Sequence, residues 1–159
     1  MAECIDLRDA RRDDDYRLVS ELFREYFAWL SFEITFQDVA GDIADPRAVY
    51  GPPAGRCVLA TVEGEPAGVV ALSHFDDGMC EMKRLWVRPE AQGRGVGRLL
   101  AETIVQRARD AGYRAMVLDT VPELTAAIAL YESMGFRDTP AYRYNPRPGA
   151  RYLRLDLTA

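Results

Sequence analysis

An α+β fold is predicted: a mixed, mostly antiparallel twisted sheet with helices on both faces and one central parallel strand pair. Three observations predict it. Three strand-like runs follow one another between Cys57 and Val87 with short turns between them, the pattern of an antiparallel meander. A strand–helix–strand unit comes next, and a strand that returns over a helix lies parallel to the one it left. Ahead of the meander, the apolar residues recur at helical rather than alternating spacing.

Each element has its own signal. A short strand near Cys4 to Arg8 leads into a helix over about Asp14 to Leu30. There Leu18, Leu22, Phe23, Tyr26, Phe27 and Leu30 form one apolar stripe at spacings of three and four. A further helical stretch is expected around Phe36 to Ile43, and Tyr50-Gly51-Pro52-Pro53 reads as a loop. Cys57 to Val62 and Pro66 to Ser73 flank a hairpin turn at Glu63-Gly64-Glu65. Asp76-Asp77-Gly78 then turns into a third strand, Met79 to Val87, which Pro89 stops.

The glycine-rich segment Gln92 to Gly97 opens a helix running to about Ala111. Val96, Leu100, Ile104 and Ala108 mark its buried face, and Gly112 stands where a C-cap belongs. Arg114 to Asp119 reads as a short buried strand. Pro122 is expected to open a helix to Met134, ended by Gly135. Two strands complete the chain, about Phe136 to Tyr142 and Arg151 to Leu157. With 159 residues and no repeat or linker, residues 1–159 are expected to form a single domain.

Composition narrows the function classes. Apolar residues make up 48% of the chain and charged residues 28%, enough for a core without disulfides or a structural metal. The net charge of -5 repels a phosphate backbone, so no nucleic-acid partner is expected. No run approaches the roughly 20 apolar residues of a membrane span. Glu3, Asp6, Arg8 and Asp9 interrupt the N-terminus before a signal-like stretch develops, so a cytoplasmic protein is expected. Cys4, Cys57 and Cys80 are odd in number and lack metal-ligand spacing, which points to reduced thiols and no metal. His74, the single histidine, follows Val69, Val70 and Leu72 and reads as a strand-end residue.

The strongest chemical signal is Gln92-Gly93-Arg94-Gly95-Val96-Gly97-Arg98, between a strand and a helix. A helix start offers unpaired amides and the positive end of the macrodipole, and glycines let an anion approach the backbone. A nucleotide P-loop would end in Gly-Lys-Ser/Thr, and Arg98-Leu99 is not that. A dinucleotide fingerprint needs a third glycine where Arg98 stands. A glycine-rich helix entry with no ligand remains the simpler alternative.

The segment also satisfies the Q/R-x-x-G-x-G/A loop of GNAT acetyltransferases, as Gln92-x-x-Gly95-x-Gly97. Glu81 to Val87 followed by Arg88-Pro89 is similar to the strand that precedes this loop in the family. Gly112-Tyr113 closes the next helix as the family does, and Ala127-Ile128-Ala129-Leu130-Tyr131-Glu132-Ser133-Met134-Gly135-Phe136 resembles its A-x-x-L-Y-x-x-x-G-F block. From about Cys57 to Leu157 the chain therefore resembles the GNAT superfamily. Met82-Lys83-Arg84-Leu85, Leu118-Asp119-Thr120 and Tyr142-x-x-Asn145-Pro146 are similar to a group of small bacterial members of unassigned substrate.

The resemblance implies an N-acetyltransferase that takes acetyl-CoA as acyl donor and needs no metal. Its acceptor would be a primary amine of a small molecule, amino acid or peptide, attacking directly in a ternary complex. A pantetheine arm would lie beside Leu85, Trp86 and Val87. The pyrophosphate would sit on Gln92, Gly93, Arg94, Gly95, Val96, Gly97 and Arg98. Leu124 stands where many members carry a cofactor-binding asparagine, so that contact differs here, and Ala127 follows on the same helix.

Glu81, eleven residues before Gln92, matches the glutamate base of members that have one; simple pairing with Lys83 is the alternative, with water beside Asp119 or Thr120 taking the proton. Tyr131 matches the tyrosine that protonates the leaving sulfur, against a core role on the stripe of Leu124, Ala127 and Ile128. Phe27, Trp29, Tyr50, Tyr142, Tyr144 and Asn145 are acceptor-site candidates by position. Asp119 is a further candidate on the strand beside the cleft, and Arg84 or Arg143 could engage a substrate carboxylate. The resemblance also allows a homodimer. Two other functions stay open: a non-catalytic acyl-CoA-binding module, and a protein N-terminal or lysine acetyltransferase with a more open groove.

Overall fold

The computed structural model describes residues 4–30 and 39–158. Its seven strands are β1 (Ile5–Asp9), β2 (Arg56–Val62), β3 (Glu65–Asp76), β4 (Met79–Val87), β5 (Ala115–Thr120), β6 (Arg137–Asp138) and β7 (Arg151–Asp156). The helices are α1 (Asp13–Trp29), α2 (Val39–Ala44), α3 (Pro46–Tyr50), α4 (Val96–Asp110) and α5 (Thr125–Ser133). The sheet order is β1-β2-β3-β4-β5-β7-β6, and β4–β5 is its parallel pair. The mixed, mostly antiparallel sheet is thus the one the sequence predicts.

Two apolar clusters, one on each face, hold the helices to the sheet. On one face α4 contributes Val96, Leu100, Ile104 and Ala108, all buried against Val58, Val70 and Met116. On the other, α1 presses Val19, Leu22 and Phe23 onto Leu59, Val69 and Ala71. Each Val, Leu, Ile, Met or Phe among them contributes about 1.5–3 kcal/mol by leaving water. The α4 stripe packs as the sequence predicts; on α1, Leu22 and Phe23 of the expected stripe are buried together with Val19, which lay outside it.

Three boundaries differ from the sequence reading. The expected loop at Tyr50 is preceded by α3, which starts at Pro46 behind Asp45; the Asp45 carboxylate accepts from the Ala48 amide at 3.2 Å. Asp-Pro is a helix-start signal, and the five-residue run it opens is too short to show periodicity. Helix α5 begins at Thr125, three residues past Pro122, because Val121 to Leu124 form a turn closed by the Leu124 amide on the Val121 carbonyl. The strand expected from Phe136 to Tyr142 is two residues long. Pro140, Pro146 and Pro148 have no N–H for a ladder, so the chain leaves the sheet after Thr139. The expected helix at Phe36 to Ile43 falls partly outside the described residues; α2 accounts for its end.

Strand β4 carries the decisive irregularity. Its register with β3 passes from Val69↔Trp86 to Ala71↔Lys83, so Arg84 and Leu85 together oppose Val70. Arg84 takes φ 60, a left-handed conformation inside a strand. The bulge reverses side-chain parity. Met82, Leu85 and Val87 all face α4, whereas Glu81 and Lys83 face the α1 side with Trp86. Simple alternation would put Glu81, Lys83, Leu85 and Val87 on one face, and the bulge overrides it. The β4–β5 pairing also ends at Glu81↔Val117. Beyond it β4 stays with β3 and β5 stays with β7, so a gap opens through the sheet.

Arg84 itself is buried. Its Nε donates to Asp42 Oδ2 at 2.8 Å, Tyr50 Oη donates to the same oxygen, and the guanidinium lies 5.0 Å over the Phe27 ring. The sequence offered Arg84 as a substrate-carboxylate ligand and Tyr50 as an acceptor-site residue. Asp42 engages both, and Tyr50 is fully buried.

Two stability outcomes follow. A Cβ on Gly68 would stand 2.7 Å from the Trp86 carbonyl oxygen and 3.0 Å from Leu100 Cδ1. Gly68→Ala should therefore cost about 1–3 kcal/mol in urea unfolding; wild-type stability would mean that β4 yields at no cost. Asp42→Ala strands the buried Arg84 charge and should cost about 3–5 kcal/mol, with Asp42→Ala/Arg84→Met recovering much of it. A loss under 1 kcal/mol would show that Arg84 does not depend on Asp42.

Candidate functional site

The gap between β4 and β5 is the floor of a cleft of about 510 Å³. It brings together Leu85, Trp86, Val87, Gln92, Gly93, Gly95, Val96 and Gly97 from β4 and the loop after it. From the opposite side come Leu124, Ala127 and Tyr131, with Arg84, Asp119 and Asn145 at the other end. These were all named from sequence. Arg94, Arg98, Glu81, Tyr142 and Phe27 were named too and stand outside its wall.

The bulge divides the cleft into two chemistries. On the α4 face, Leu85, Val87, Leu118, Ala127 and Leu130 make an apolar wall that holds Tyr131. Tyr131 is 8% exposed, its ring centroid 5.7 Å from that of Phe136, and burial pushes its phenol well above the ordinary range. On the α1 face, Lys83 and Asp119 line the cleft beside Tyr26, Trp29 and Trp86, whose rings pack at 5.2–6.4 Å.

The glycine loop closes one end. Gln92 Nε2 donates to the Val87 carbonyl at 2.9 Å and pins the loop to the end of β4. Gly93 has φ 79 and Gly95, the residue before α4, has φ 85. A Cβ at either would meet no atom within 4 Å, so these glycines leave open space beside the start of a 15-residue helix. That geometry fits a phosphate group: the amides of a helix start, the positive helix end and no side chain in the way. The Arg98 side chain donates to Ser133 Oγ at 2.7 Å and ties α4 to α5.

The other end is closed by the segment between β6 and β7. Arg143 Nη2 donates to Glu81 Oε1 at 2.6 Å, Tyr142 Oη donates to Glu81 Oε2 at 2.7 Å, and Lys83 Nζ lies 3.7 Å from the same carboxylate. Asn145 Nδ2 donates to Asp119 at 2.9 Å, and Arg147 Nη2 to Glu123 at 3.2 Å. Residues 143, 145 and 147 thus meet one acidic group each along the rim. Glu81 is 2% exposed beneath this strap. Its pairing with Lys83 was foreseen; the pairing with Arg143, 62 residues away, was not. Burial lowers the Lys83 pKa, and the Glu81 charge opposes that shift. Burial and then the Glu81 charge keep Tyr142 protonated.

Sequence reasoning missed Tyr26 and Leu30 as cleft residues, having assigned both to the core stripe of α1. Trp29, 51% exposed, lines the cleft, while Tyr144 is 77% exposed and lies off the wall. His74 lies away from the cleft, 3.5 Å from the Tyr113 hydroxyl. Cys57 and Cys80 are buried free thiols and Cys4 is an exposed one. Among the described residues no helix is long and apolar enough to cross a membrane.

Comparison with known proteins agrees with this geometry. A model of the acetyltransferase (GNAT) family matches residues 12–136. An uncharacterized N-acetyltransferase of Schizosaccharomyces pombe is 42% identical over 147 residues, 91% of this chain and 88% of that one. The N-acetylaspartate synthetase of Danio rerio is 38% identical over 98 residues, which are 60% of this chain and 35% of that protein. Among solved structures, a putative acetyltransferase from Salmonella typhimurium with its cofactor acetyl-CoA aligns with a TM-score of 0.73 at 21% identity, over 97% of this chain and 94% of that one. With a glycine loop and a parted strand pair in that fold, and a family model spanning most of its length, the chain belongs to the GNAT acetyltransferase family.

Proposed function

We propose that this chain is an acetyl-CoA-dependent N-acetyltransferase that transfers the acetyl group to a primary amine of a small molecule, amino acid or peptide in a ternary complex. One observation carries the reading: a single cleft passes through the sheet where β4 and β5 part, with an open glycine loop at one end and carboxylates at the other. When bound, acetyl-CoA supplies an acetyl group activated as a thioester.

The chain's own residues then have separable tasks. The amides from Gln92 to Arg98, with the start of α4, hold the phosphates, and Arg94 adds charge at the exposed rim. The edge of β4 at Leu85 to Val87, left without a β5 partner, offers backbone groups to the arm as an added strand would. An amide at the bulge stands where charge develops on the acyl oxygen. Leu124 and Ala127 supply apolar contact in place of the family's usual asparagine.

The transfer joins the amine nitrogen to the acyl carbon, breaks the carbon–sulfur bond and moves two protons. Glu81 receives the proton that the attacking amine sheds, and Arg143 must yield its place for the amine to reach it. Asp119, whose partner Asn145 is neutral, is the second carboxylate within the acceptor end. Tyr131 gives a proton to the departing sulfur. Its buried phenol stays protonated across the working pH range, so the donor is always charged with its proton. The resemblance to N-acetylaspartate synthetases, named for an acetylated amino acid, puts amino acids first among acceptors.

Thiol release from acetyl-CoA across amino acids, polyamines and peptides tests the reading; tight acetyl-CoA binding with no amine-dependent release would favour a binding module. Glu81→Gln should lower kcat/KM by about 100-fold or more near pH 7. The deficit should shrink toward pH 10, where the amine loses its proton unaided. A deficit constant with pH would remove the base role. Tyr131→Phe should reduce kcat about 100-fold while the acetyl-CoA KM stays near wild type; unchanged turnover would leave Tyr131 as a packing residue.

A further inference from the structure

Thr120 closes β5 and lines the cleft, yet its hydroxyl has no hydrogen-bond partner within the protein. The residue is 5% exposed. A buried hydroxyl in that state carries its full desolvation penalty, which valine of the same shape would avoid. Nothing in the local fold demands a hydroxyl. Across the ladder its partner is Arg151, whose guanidinium is engaged by Asp138, and β4 has already turned away.

Position and surroundings indicate what the hydroxyl meets. The β4–β5 register ends at Glu81↔Val117, and three further residues bring Thr120 level with Arg84 at the bulge. Met116, Leu118 and Thr120 alternate onto the α4 face, away from Asp119, which meets Asn145 on the other. On that face the cleft wall is apolar, formed by Leu85, Val87, Ala127 and Leu130 around Tyr131. A lone hydroxyl in such a wall suits an extended, largely apolar chain that carries an amide at that level. The pantetheine arm of an acyl-CoA has that chemistry; the acceptor amine approaches from the charged face.

Building on the acetyltransferase reading, we propose that the Thr120 hydroxyl hydrogen-bonds the pantetheine amide nearest the thioester and sets the depth at which the acetyl group stops beside the bulge in β4. Glycine loop and hydroxyl then hold the donor at two separate points, one on the phosphates and one on the arm.

Thr120→Val and Thr120→Ser separate this role from packing. Thermal unfolding is measured without ligand, and calorimetry reads the affinity for acetyl-CoA and for adenosine 3′,5′-bisphosphate, which lacks the arm. Thr120→Val should melt higher than wild type when free, bind acetyl-CoA about tenfold more weakly and bind the bisphosphate unchanged. Thr120→Ser should keep the wild-type affinity for acetyl-CoA. Undiminished acetyl-CoA binding by Thr120→Val overturns the proposal, as does a lower melting temperature of that free variant, which would reveal an internal partner. Failure of the wild type to bind acetyl-CoA would instead overturn the acetyltransferase reading on which the proposal rests.

Discussion

The parting of β4 from β5 at the Arg84 bulge is the constraint on which the rest of this structure depends. A left-handed arginine inside a strand costs on the order of 1–3 kcal/mol, and it persists where the surroundings over-determine it. Here Asp42 and the Phe27 ring hold the guanidinium, while Gly68 lets the Trp86 carbonyl approach β3 closely. The extra residue bends β4 and frees its edge just where β5 departs. Without it the sheet would be continuous and the cleft closed.

The same bulge separates two environments within a few ångströms. Because parity reverses at Arg84, Leu85 and Val87 join the apolar α4 face while Glu81 and Lys83 remain on the charged one. An apolar wall with a buried phenol suits a thioester arm, and a wall with carboxylates and cations suits a polar amine. The low-dielectric interior strengthens the charge pairing of buried Glu81, whose partners are Lys83, Arg143 and the Tyr142 hydroxyl. The strap from Tyr142 to Arg147 supplies most of those partners and thereby roofs the acceptor end.

Sequence by itself determined much about this protein, wherever the information lies between near neighbours in the chain. Helix α1 was legible from Leu22, Phe23 and Tyr26 at helical spacing, strand β4 from its run between Gly78 and Pro89, and the glycine loop from Gln92, Gly95 and Gly97. The family blocks made Glu81 and Tyr131 candidates because contiguous motifs survive in one dimension. Short α3 and two-residue β6 escaped, since neither is long enough to show a period.

Tertiary structure alone decided the face each β4 side chain takes, for parity depends on a bulge set by Gly68 and Asp42, residues 16 and 42 positions from Arg84. It also decided that Arg84 is a buried structural cation and that Arg143 belongs to Glu81. Tyr26, while packed on the α1-face core, and Leu30 at the end of the same stripe also line the cleft, a second role that only the parting of the strands creates. Charge pairing and strand separation are contacts between distant parts of the chain, and no local pattern encodes which distant residue will arrive.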